Sequence, residues 1–176
     1  IERIHDVAVL KLKLPASERL QFRAGQYIDI LLADDQKRSF SIANAPHDDA
    51  FIELHVRNQP GGYFSEHVFR HLQTREMMRF KGPLGSFFMR DDSDKPMVLL
   101  ASGTGFAPIK SMIEHAQHNN IQRPMVLYWG ARVRADLYMD DLAREWAKTI
   151  PGFRYVPVLS ESPVSDMWNG RRGLVH

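Results

Sequence analysis

Apolar and polar residues alternate in several short runs of the first half of the chain. "VLKLKL" (9–14) and "FIELHVR" (51–57) place an apolar residue at every second position, which predicts strands with one buried face. "FRAGQYIDILLA" (22–33) and "MMRFKGPLGSF" (77–87) have strand-like composition and contain glycine turns. One short helix is predicted at about residues 64–72. Strands this short, about ten residues apart, are typical of a small antiparallel barrel or sandwich.

Continuous apolar runs replace this alternation in the second half. "MVLLA" (97–101), "PMVLYWG" (124–130) and "FRYVPVL" (153–159) are typical of strands that are buried on both faces. Apolar residues at helical spacing lie between these runs, as at Ile109 and Ile113. The order strand, helix, strand, helix, strand predicts a parallel α/β unit.

The two patterns meet at "RDDSDKP" (90–96), an acidic stretch that contains proline. We therefore predict an antiparallel β domain at residues 1–92 and a parallel α/β domain at residues 93–176. The second helix of the α/β domain is expected to be capped by Asp136, because aspartate is a preferred capping residue.

Composition removes several classes of function. The chain has 176 residues, 44% of them hydrophobic, which suffices for one large domain or two small ones. It contains no cysteine, so disulfides, thiolate catalysis and iron–sulfur clusters held by this chain are excluded. The net charge is +2 and the basic residues are dispersed, which argues against binding of nucleic acid or anionic membranes. No apolar run has the roughly 20 residues of a membrane span. We expect a soluble, cytoplasmic protein.

A glycine-rich turn follows the first apolar run of the second half. It contains Gly103, Thr104 and Gly105, and Pro108 lies in what should be the first helical turn. Ligands of open α/β sheets bind at such strand ends, where helix N-terminal N–H groups can contact a phosphate. The spacing matches neither the dinucleotide fingerprint nor a P-loop. An ordinary tight turn and a nucleotide-binding turn therefore both remain open.

The segment "KRSFSIANAP" (37–46) combines groups that suit a cofactor. Arg38 can pair with a phosphate, Phe40 can contact a ring, and Ser41 and Asn44 can donate hydrogen bonds. The alternative is a half-exposed strand whose aromatic side chain packs in the core. About 20 residues later, Gly61, Gly62 and Ser65 of "PGGYFSEHV" (60–68) form a second predicted anion-binding turn.

These elements, with "GPLGSF" (82–87) and the later glycine turn, resemble the ferredoxin–NADP reductase superfamily in type and order. The resemblance is greatest to its bacterial NAD(P)H-flavin reductases and to the reductases of oxygenases and deoxysugar dehydrases. It covers nearly the whole chain. It implies a six-stranded antiparallel Greek-key flavin barrel followed by a parallel α/β nicotinamide-nucleotide domain. The later motifs of that domain are absent from the 176 residues, so we expect its C-terminal part to be missing.

The resemblance also implies roles for individual residues. Arg38, Ser39, Phe40 and Ser41 match the Arg-x-Tyr-Ser flavin signature, with Phe40 in place of the usual tyrosine. Arg38 would hold the flavin phosphate, Phe40 would lie against the flavin, and Ser41 would be the catalytic residue beside the reactive N5 atom.

Further positions are implied in the same way. His55, Val56 and Arg57 match the strand that lines the ribityl and adenine side of the flavin. The turn residues Gly61, Gly62 and Ser65 match the pyrophosphate turn, which favours FAD over FMN. The residues implied for NAD(P)H binding are Gly103, Thr104, Gly105, Pro108 and Arg132. Arg132 and Arg134 could contact a 2′-phosphate, or they could be exposed loop charges.

Three functional hypotheses follow. The first is a flavoprotein that takes hydride from NAD(P)H onto FAD and passes electrons to an iron–sulfur protein or domain, or to an oxygenase-type acceptor. The second is an NAD(P)H:flavin reductase that uses free flavin as a substrate. The third is a non-enzymatic module that binds nucleic acid or senses a nucleotide. No metal site is expected, because the histidine pairs 67/71 and 115/118 have no evident third ligand.

Overall fold

The structure is a computed structural model that describes residues 1–33, 35–161 and 167–175. Six antiparallel strands form the first part of the molecule, in two three-stranded sheets with orders β1-β2-β5 and β4-β3-β6. Their bounds are Glu2–Ile4 (β1), Val7–Lys13 (β2), Tyr27–Leu31 (β3), Lys37–Ser41 (β4), Phe51–Arg57 (β5) and Arg79–Leu84 (β6). An isolated bridge between Ile42 and Leu54 links the two sheets. This arrangement confirms the predicted antiparallel β architecture of the first part of the chain.

The barrel core lies between the two sheets and is filled by alternate residues of each strand. Ile28, Ile30, Leu54 and Val56 are at most 1% exposed. Helix α1 (Tyr63–Arg70) adds its apolar face to this core through Phe64 and Val68. The alternation predicted from the sequence is therefore the alternation of the folded strands.

A parallel sheet forms the second part, with strand order β10-β9-β8-β7. Its strands are Met97–Ser102 (β7), Met125–Ala131 (β8), Phe153–Leu159 (β9) and Arg171–Arg172 (β10), and its helices are Phe106–His118 (α2) and Asp140–Thr149 (α3). The first three strands and both helices confirm the predicted α/β unit. The short strand β10 has no apolar run, so the hydrophobic pattern could not reveal it.

Aromatic packing holds α2 and α3 on the sheet. The ring of Phe106, at the start of α2, stacks on Trp129 of β8 with centroids 3.9 Å apart. Trp146 of α3 completes this cluster at 5.8 Å from Phe106. Both Phe106 and Trp129 are fully buried, so this contact determines how the glycine turn before α2 lies against the sheet.

The predicted cap of α3 was wrong. The helix begins at Asp140, and Asp140 and Asp141 supply the negative charges of its first turn. Asp136 lies earlier, in a short 3₁₀ turn (Arg134–Asp136), and its side chain is 3% exposed. Its carboxylate contacts the barrel, as described below.

Within the described residues, every helix is too short or too polar to cross a lipid bilayer.

Candidate flavin and nucleotide site

Strand β4 presents the Arg-x-Phe-Ser segment with two hydroxyls in different environments. The pairing of β4 with β3 places Ser39 opposite Asp29 and Ser41 opposite Tyr27. The Ser39 hydroxyl donates to the buried Asp29 carboxylate at 2.6 Å. Lys37 donates to the same carboxylate at 2.8 Å, and these two hydrogen bonds lower the pKa of Asp29. The Ser39 side chain therefore fastens β4 to β3.

Arg38 and Ser41 keep their polar groups available. The exposed Arg38 guanidinium donates only to the carbonyl of its neighbour Lys37, at 2.8 Å, among the described residues. The half-buried Ser41 hydroxyl has no hydrogen bond to any part of the described chain. Phe40 is half-buried and packs on Phe64 with ring centroids 5.2 Å apart. One side of Phe40 therefore belongs to the barrel core, as the alternative interpretation of the segment proposed.

Asn44 was expected to offer a hydrogen bond to a ring, and that expectation was wrong. Its side-chain nitrogen donates to the carbonyls of Asp48 and Phe51 at 2.7 and 2.9 Å. Its side-chain oxygen accepts from the Glu53 N–H at 2.8 Å. The residue is 2% exposed, so it shapes the turn after β4 and has no free group for a ligand.

The turn before α1 is open at Gly61 and closely packed at Gly62. Gly61 has a φ of +75°, and a Cβ at this position would meet nothing within 4 Å. Ser65 closes the turn, because its hydroxyl bonds to Gln59 and to the carbonyl of Gly62. Gly62 is the N-cap of α1 and supplies no side-chain cap. The Gly61 N–H donates to the Glu66 carboxylate at 3.2 Å and the Gly62 N–H to the Gln59 carbonyl at 2.8 Å, so an anion could use only the N–H groups of the first turn of α1 itself.

Strand β5 separates its side chains between two environments. Val56 points into the barrel core and is 1% exposed, so only its backbone can line a cofactor. Glu53, His55 and Arg57 point the other way, towards the parallel domain. His55 contacts Tyr138 through Nδ1 at 2.7 Å and Glu53 through Nε2 at 3.0 Å. The side chain of His55 therefore lies in the contact between the two domains.

The protonation states of this cluster follow from burial and charge. Burial opposes the charge of Glu53, but the hydrogen bond from His55 and the charge of Lys110 lower its pKa to about 2. Burial lowers the pKa of His55 and raises that of Tyr138. A neutral His55 donates a hydrogen bond from Nε2 to the Glu53 carboxylate and accepts a hydrogen bond from the Tyr138 hydroxyl at Nδ1. Each polar atom of the ring is thereby satisfied.

The pKa of His55 predicts a pH dependence of folding. The unfolded chain takes up a proton at this histidine near pH 6.5, whereas the folded chain resists it because its pKa is lowered. The contribution of neutral His55 to the free energy of unfolding should therefore be complete above pH 6.5 and decrease as the pH drops below that value. Thermal unfolding between about pH 5 and 8 measures the slope. Replacing His55 with Gln should flatten it, and an equal slope in both proteins would contradict the assignment.

Arg57 connects the barrel to the turns of the parallel domain. Its Nε donates to Asp6 at 2.7 Å, and its Nη2 lies 3.0 Å from the Asp136 carboxylate. A Cβ built on Gly103 would lie 3.1 Å from the Arg57 guanidinium. His5, Asp6 and Asp136 have spacing that could suit a metal ion. Because the Arg57 guanidinium already pairs with both carboxylates, this cluster is an ion-pair network.

A cavity of about 300 Å³ lies at the carboxyl ends of β7, β8 and β9. Its walls include Arg57, Ser102, Gly103, Gly130, Arg132 and Ser160. Gly103 has a φ of +51° and its carbonyl accepts a hydrogen bond from the Trp129 indole at 3.0 Å. A larger cavity of about 470 Å³ lies at the opposite end of the sheet. It is lined by none of the predicted site residues, so we assign no role to it.

Of the remaining predicted nucleotide residues, Arg132 lines the cavity of about 300 Å³, whereas Thr104, Gly105 and Pro108 follow Gly103 along the chain and are not part of its walls. Thr104 and Gly105 complete a 3₁₀ turn that leads into α2, and Pro108 is buried in the first turn of that helix. Arg132 stands at the rim with 64% of its side chain exposed, and its Nε lies 3.6 Å from Asp136. The guanidinium of Arg132 is thus partly compensated by a buried carboxylate.

Helix α2 brings the flavin and nucleotide segments together. Ser111 donates at 2.8 Å to the carbonyl of Asn44, which lies three residues after Ser41 in the chain. The glycine turn at the start of the same helix contacts Arg57. The predicted flavin strand and the predicted nucleotide turn therefore border one junction between the domains.

Sequence reasoning missed the residues that form this junction from the parallel domain. Lys110 lies between the apolar residues Ile109 and Met112 and is 8% exposed. A buried lysine on an apolar helix face is a signal that could have been found, because such a charge needs a partner. Asp136 and Tyr138 carried no comparable signal, since their partners on β5 are remote in sequence.

Two family models match successive parts of the chain. The family model for the oxidoreductase FAD-binding domain matches residues 2–89. The family model for the oxidoreductase NAD-binding domain matches residues 99–176.

Similar proteins extend over almost the whole chain. The chain is 46% identical over 171 residues to CDP-6-deoxy-L-threo-D-glycero-4-hexulose-3-dehydrase reductase of Yersinia pestis, covering 97% of this chain and 50% of that protein. It is 32% identical over 171 residues to the ferredoxin–NAD(P)⁺ reductase component of the naphthalene 1,2-dioxygenase system of Pseudomonas putida, covering 97% and 51%. The chain spans about half the length of these curated relatives.

A solved structure shows the same architecture. The Amycolatopsis cytochrome P450 reductase GcoB superposes with a TM-score of 0.87 at 36% identity, covering 99% of this chain and 52% of that one. Two matched domain families and this fold lead to one conclusion: the chain belongs to the ferredoxin–NADP reductase superfamily and carries its FAD-binding and NAD-binding oxidoreductase domains.

Proposed function

We propose that this protein takes hydride from NAD(P)H onto FAD and passes the electrons to an iron–sulfur protein or domain, or to an oxygenase-type acceptor. The observation that carries the proposal is the junction itself. The segment that follows Ser41 contacts α2 through the Asn44 carbonyl, and α2 begins after the glycine turn whose Gly103 lines the nucleotide cavity. A reductase needs two cofactor sites in contact, and the contact between these two segments supports that arrangement. We also propose the cytoplasm as its location, because NAD(P)H is available there.

The residues of the barrel fit FAD. Arg38 has a guanidinium that can pair with a phosphate, and the uncapped N-terminus of α1 can receive a pyrophosphate beside the open Gly61. The Ser41 hydroxyl is free to hydrogen-bond to a ring atom. In contrast, the hydroxyls of Ser39 and Ser65 already donate hydrogen bonds within the protein. We therefore assign to those two serines the support of the site, and to Arg38 and Ser41 the direct contacts.

The cavity at the carboxyl ends of the parallel strands fits a nicotinamide nucleotide. It is bordered by the glycine turn and by two guanidinium groups, those of Arg57 and Arg132. Such a turn at a helix N-terminus suits a phosphate. We propose residues 1–92 as the FAD-binding domain and residues 93–176 as the nucleotide-binding part.

When bound, the flavin supplies the redox chemistry, because it can accept a hydride and release electrons singly or in pairs. The protein has three tasks. Arg38 would hold a phosphate of the flavin, the domain junction would bring the two cofactor sites together, and Ser41 would donate a hydrogen bond to the flavin ring. No acid–base pair is required of the chain. The names of the relatives, reductase components of dioxygenase and dehydrase systems, support the choice of acceptor.

The test is the absorbance spectrum of the purified protein before and after anaerobic addition of NADH or NADPH. We expect a flavin spectrum that remains after gel filtration and is bleached by at least one nucleotide. A colourless protein that oxidises the nucleotide only with added flavin would instead establish a reductase of free flavin. A protein that shows neither behaviour would overturn both hypotheses. Comparing the bleaching rates of the two nucleotides identifies the preferred donor.

A further inference from the structure

Five polar side chains form a continuous chain across the contact between the two domains. Glu114 of α2 lies 2.9 Å from Lys110, and Lys110 lies 3.1 Å from Glu53 of β5. Glu53 accepts from His55 at 3.0 Å, and His55 contacts the Tyr138 hydroxyl at 2.7 Å. We name these five residues the interdomain chain. Glu114, Lys110 and Tyr138 belong to the nucleotide domain, and Glu53 and His55 belong to the barrel.

The interdomain chain is buried along most of its length. Glu53, His55, Tyr138 and Lys110 are between 4% and 8% exposed. A buried polar network whose members are all satisfied favours one arrangement, because a shift leaves a polar group buried without a partner. Since β5 is held from α2 on one side and from Tyr138 on the other, the domains cannot slide along the strand without such a loss.

Tyr138 is the residue that closes the chain from the second side. Its ring is wedged among aromatic groups of its own domain, 5.4 Å from Trp129 and 6.1 Å from Phe106, each at nearly a right angle. Trp129 in turn holds the carbonyl of Gly103. The hydroxyl of Tyr138 thus connects β5 to the packing unit that carries the nucleotide turn.

We propose that the interdomain chain is the joint that sets the distance between the flavin and nicotinamide sites, and that Tyr138 is a positioning residue for hydride transfer. The inference rests on the proposed function. Tyr138 does not line the nucleotide cavity, so it acts through the placement of the two domains. Misplacement of reacting groups by about 1 Å can lower a rate by about 100-fold, so the loss of one anchoring hydrogen bond should be visible in the hydride step.

The test uses the flavin-loaded protein with Tyr138 replaced by Phe. In anaerobic stopped-flow with saturating NADH or NADPH, the limiting rate of flavin reduction should fall about ten-fold. The half-saturating nucleotide concentration, the bound flavin content and the rate of reduction by dithionite should change little, because Tyr138 is not among the walls of the nucleotide cavity and its hydroxyl bonds to the His55 side chain, which faces the domain contact. This split between rate and binding separates positioning from a general loss of structure.

Tyr155 provides a matched control. Its hydroxyl donates to Asp140 at 2.8 Å inside the nucleotide domain, without reaching the barrel. Tyr155→Phe removes a comparable hydrogen bond and should leave the limiting rate unchanged. An equal fall in both variants would overturn the proposal, because it would show a general effect of a lost hydroxyl.

A second pair of variants keeps the inference testable if Tyr138→Phe does not fold. Glu53→Gln weakens the chain at its centre and should also lower the limiting rate, whereas Asp140→Asn, within one domain, should not. If NADH or NADPH reduces the wild-type flavin and the rates in Tyr138→Phe and Glu53→Gln are unchanged, the positioning role of the interdomain chain is refuted while the proposed function stands. A wild type that neither nucleotide reduces overturns the proposed function and the role of Tyr138 with it.

Discussion

Replacing Arg38 with Ala is expected to weaken FAD binding by about 10- to 100-fold, because a hydrogen-bonded ion pair to a phosphate contributes about 1.5–3 kcal/mol. The guanidinium is exposed and contacts only the carbonyl of Lys37 among the described residues. Its removal should therefore leave the fold intact. Flavin content after gel filtration, together with titration of the apoprotein with FAD, measures the effect.

Arg154 on β9 supplies the control for charge. It is also an exposed strand arginine, with one long hydrogen bond of 3.3 Å to the Tyr128 hydroxyl, and it lies in the other domain. Arg154→Ala removes the same charge and should retain full flavin. Full occupancy in Arg38→Ala would refute the phosphate role of Arg38.

Replacing Ser41 with Ala should slow hydride transfer while flavin remains bound. The loss of one hydrogen bond to the reacting region, worth about 1–1.5 kcal/mol, corresponds to about a ten-fold lower rate. The Ser41 hydroxyl has no partner in the described chain, so its loss leaves no buried protein group unpaired. Stopped-flow reduction of the flavin by NADH or NADPH measures the rate.

Ser41→Thr is the companion variant because it keeps the hydroxyl on the same strand. It should retain most of the wild-type rate if the hydroxyl is what matters. Equal rates in the Ala variant and the wild type would remove Ser41 from the mechanism. A fall in both variants would point to packing around β4 instead.

Local patterns predicted the elements well. The alternation in β2 and β5 and the apolar runs of β7, β8 and β9 are consequences of burial on one or two faces. The two-residue strand β10 and the start of α3 escaped, because each depends on contacts that the local pattern does not contain. Asp136 illustrates this: as an isolated aspartate it suggested a helix cap, yet its carboxylate pairs with Arg57 of the barrel.

The flavin segment illustrates the same limit at the level of side chains. Its sequence offered several polar groups as equal candidates. In the fold, the Asn44 side chain forms hydrogen bonds within the turn after β4, and the Ser39 hydroxyl donates to Asp29. In the described chain, Arg38 bonds only to the neighbouring Lys37 carbonyl, and the Ser41 hydroxyl has no partner. Which hydroxyl is free depends on the strand pairing, and pairing partners are set by residues elsewhere in the chain.

The sequence by itself determined the two-part architecture, the order of the cofactor segments and, by resemblance, the family. Each of these features depends on a hydrophobic period or a motif within one segment, so it can be recognised from that segment alone. Only the tertiary structure decided that Glu53, His55 and Arg57 face the second domain, where they meet Lys110, Tyr138 and Asp136. On a strand with one buried face, polar positions are expected to face water. Here a second domain covers them, and their partners there are charged and hydrogen-bonding groups that no pattern within either segment encodes.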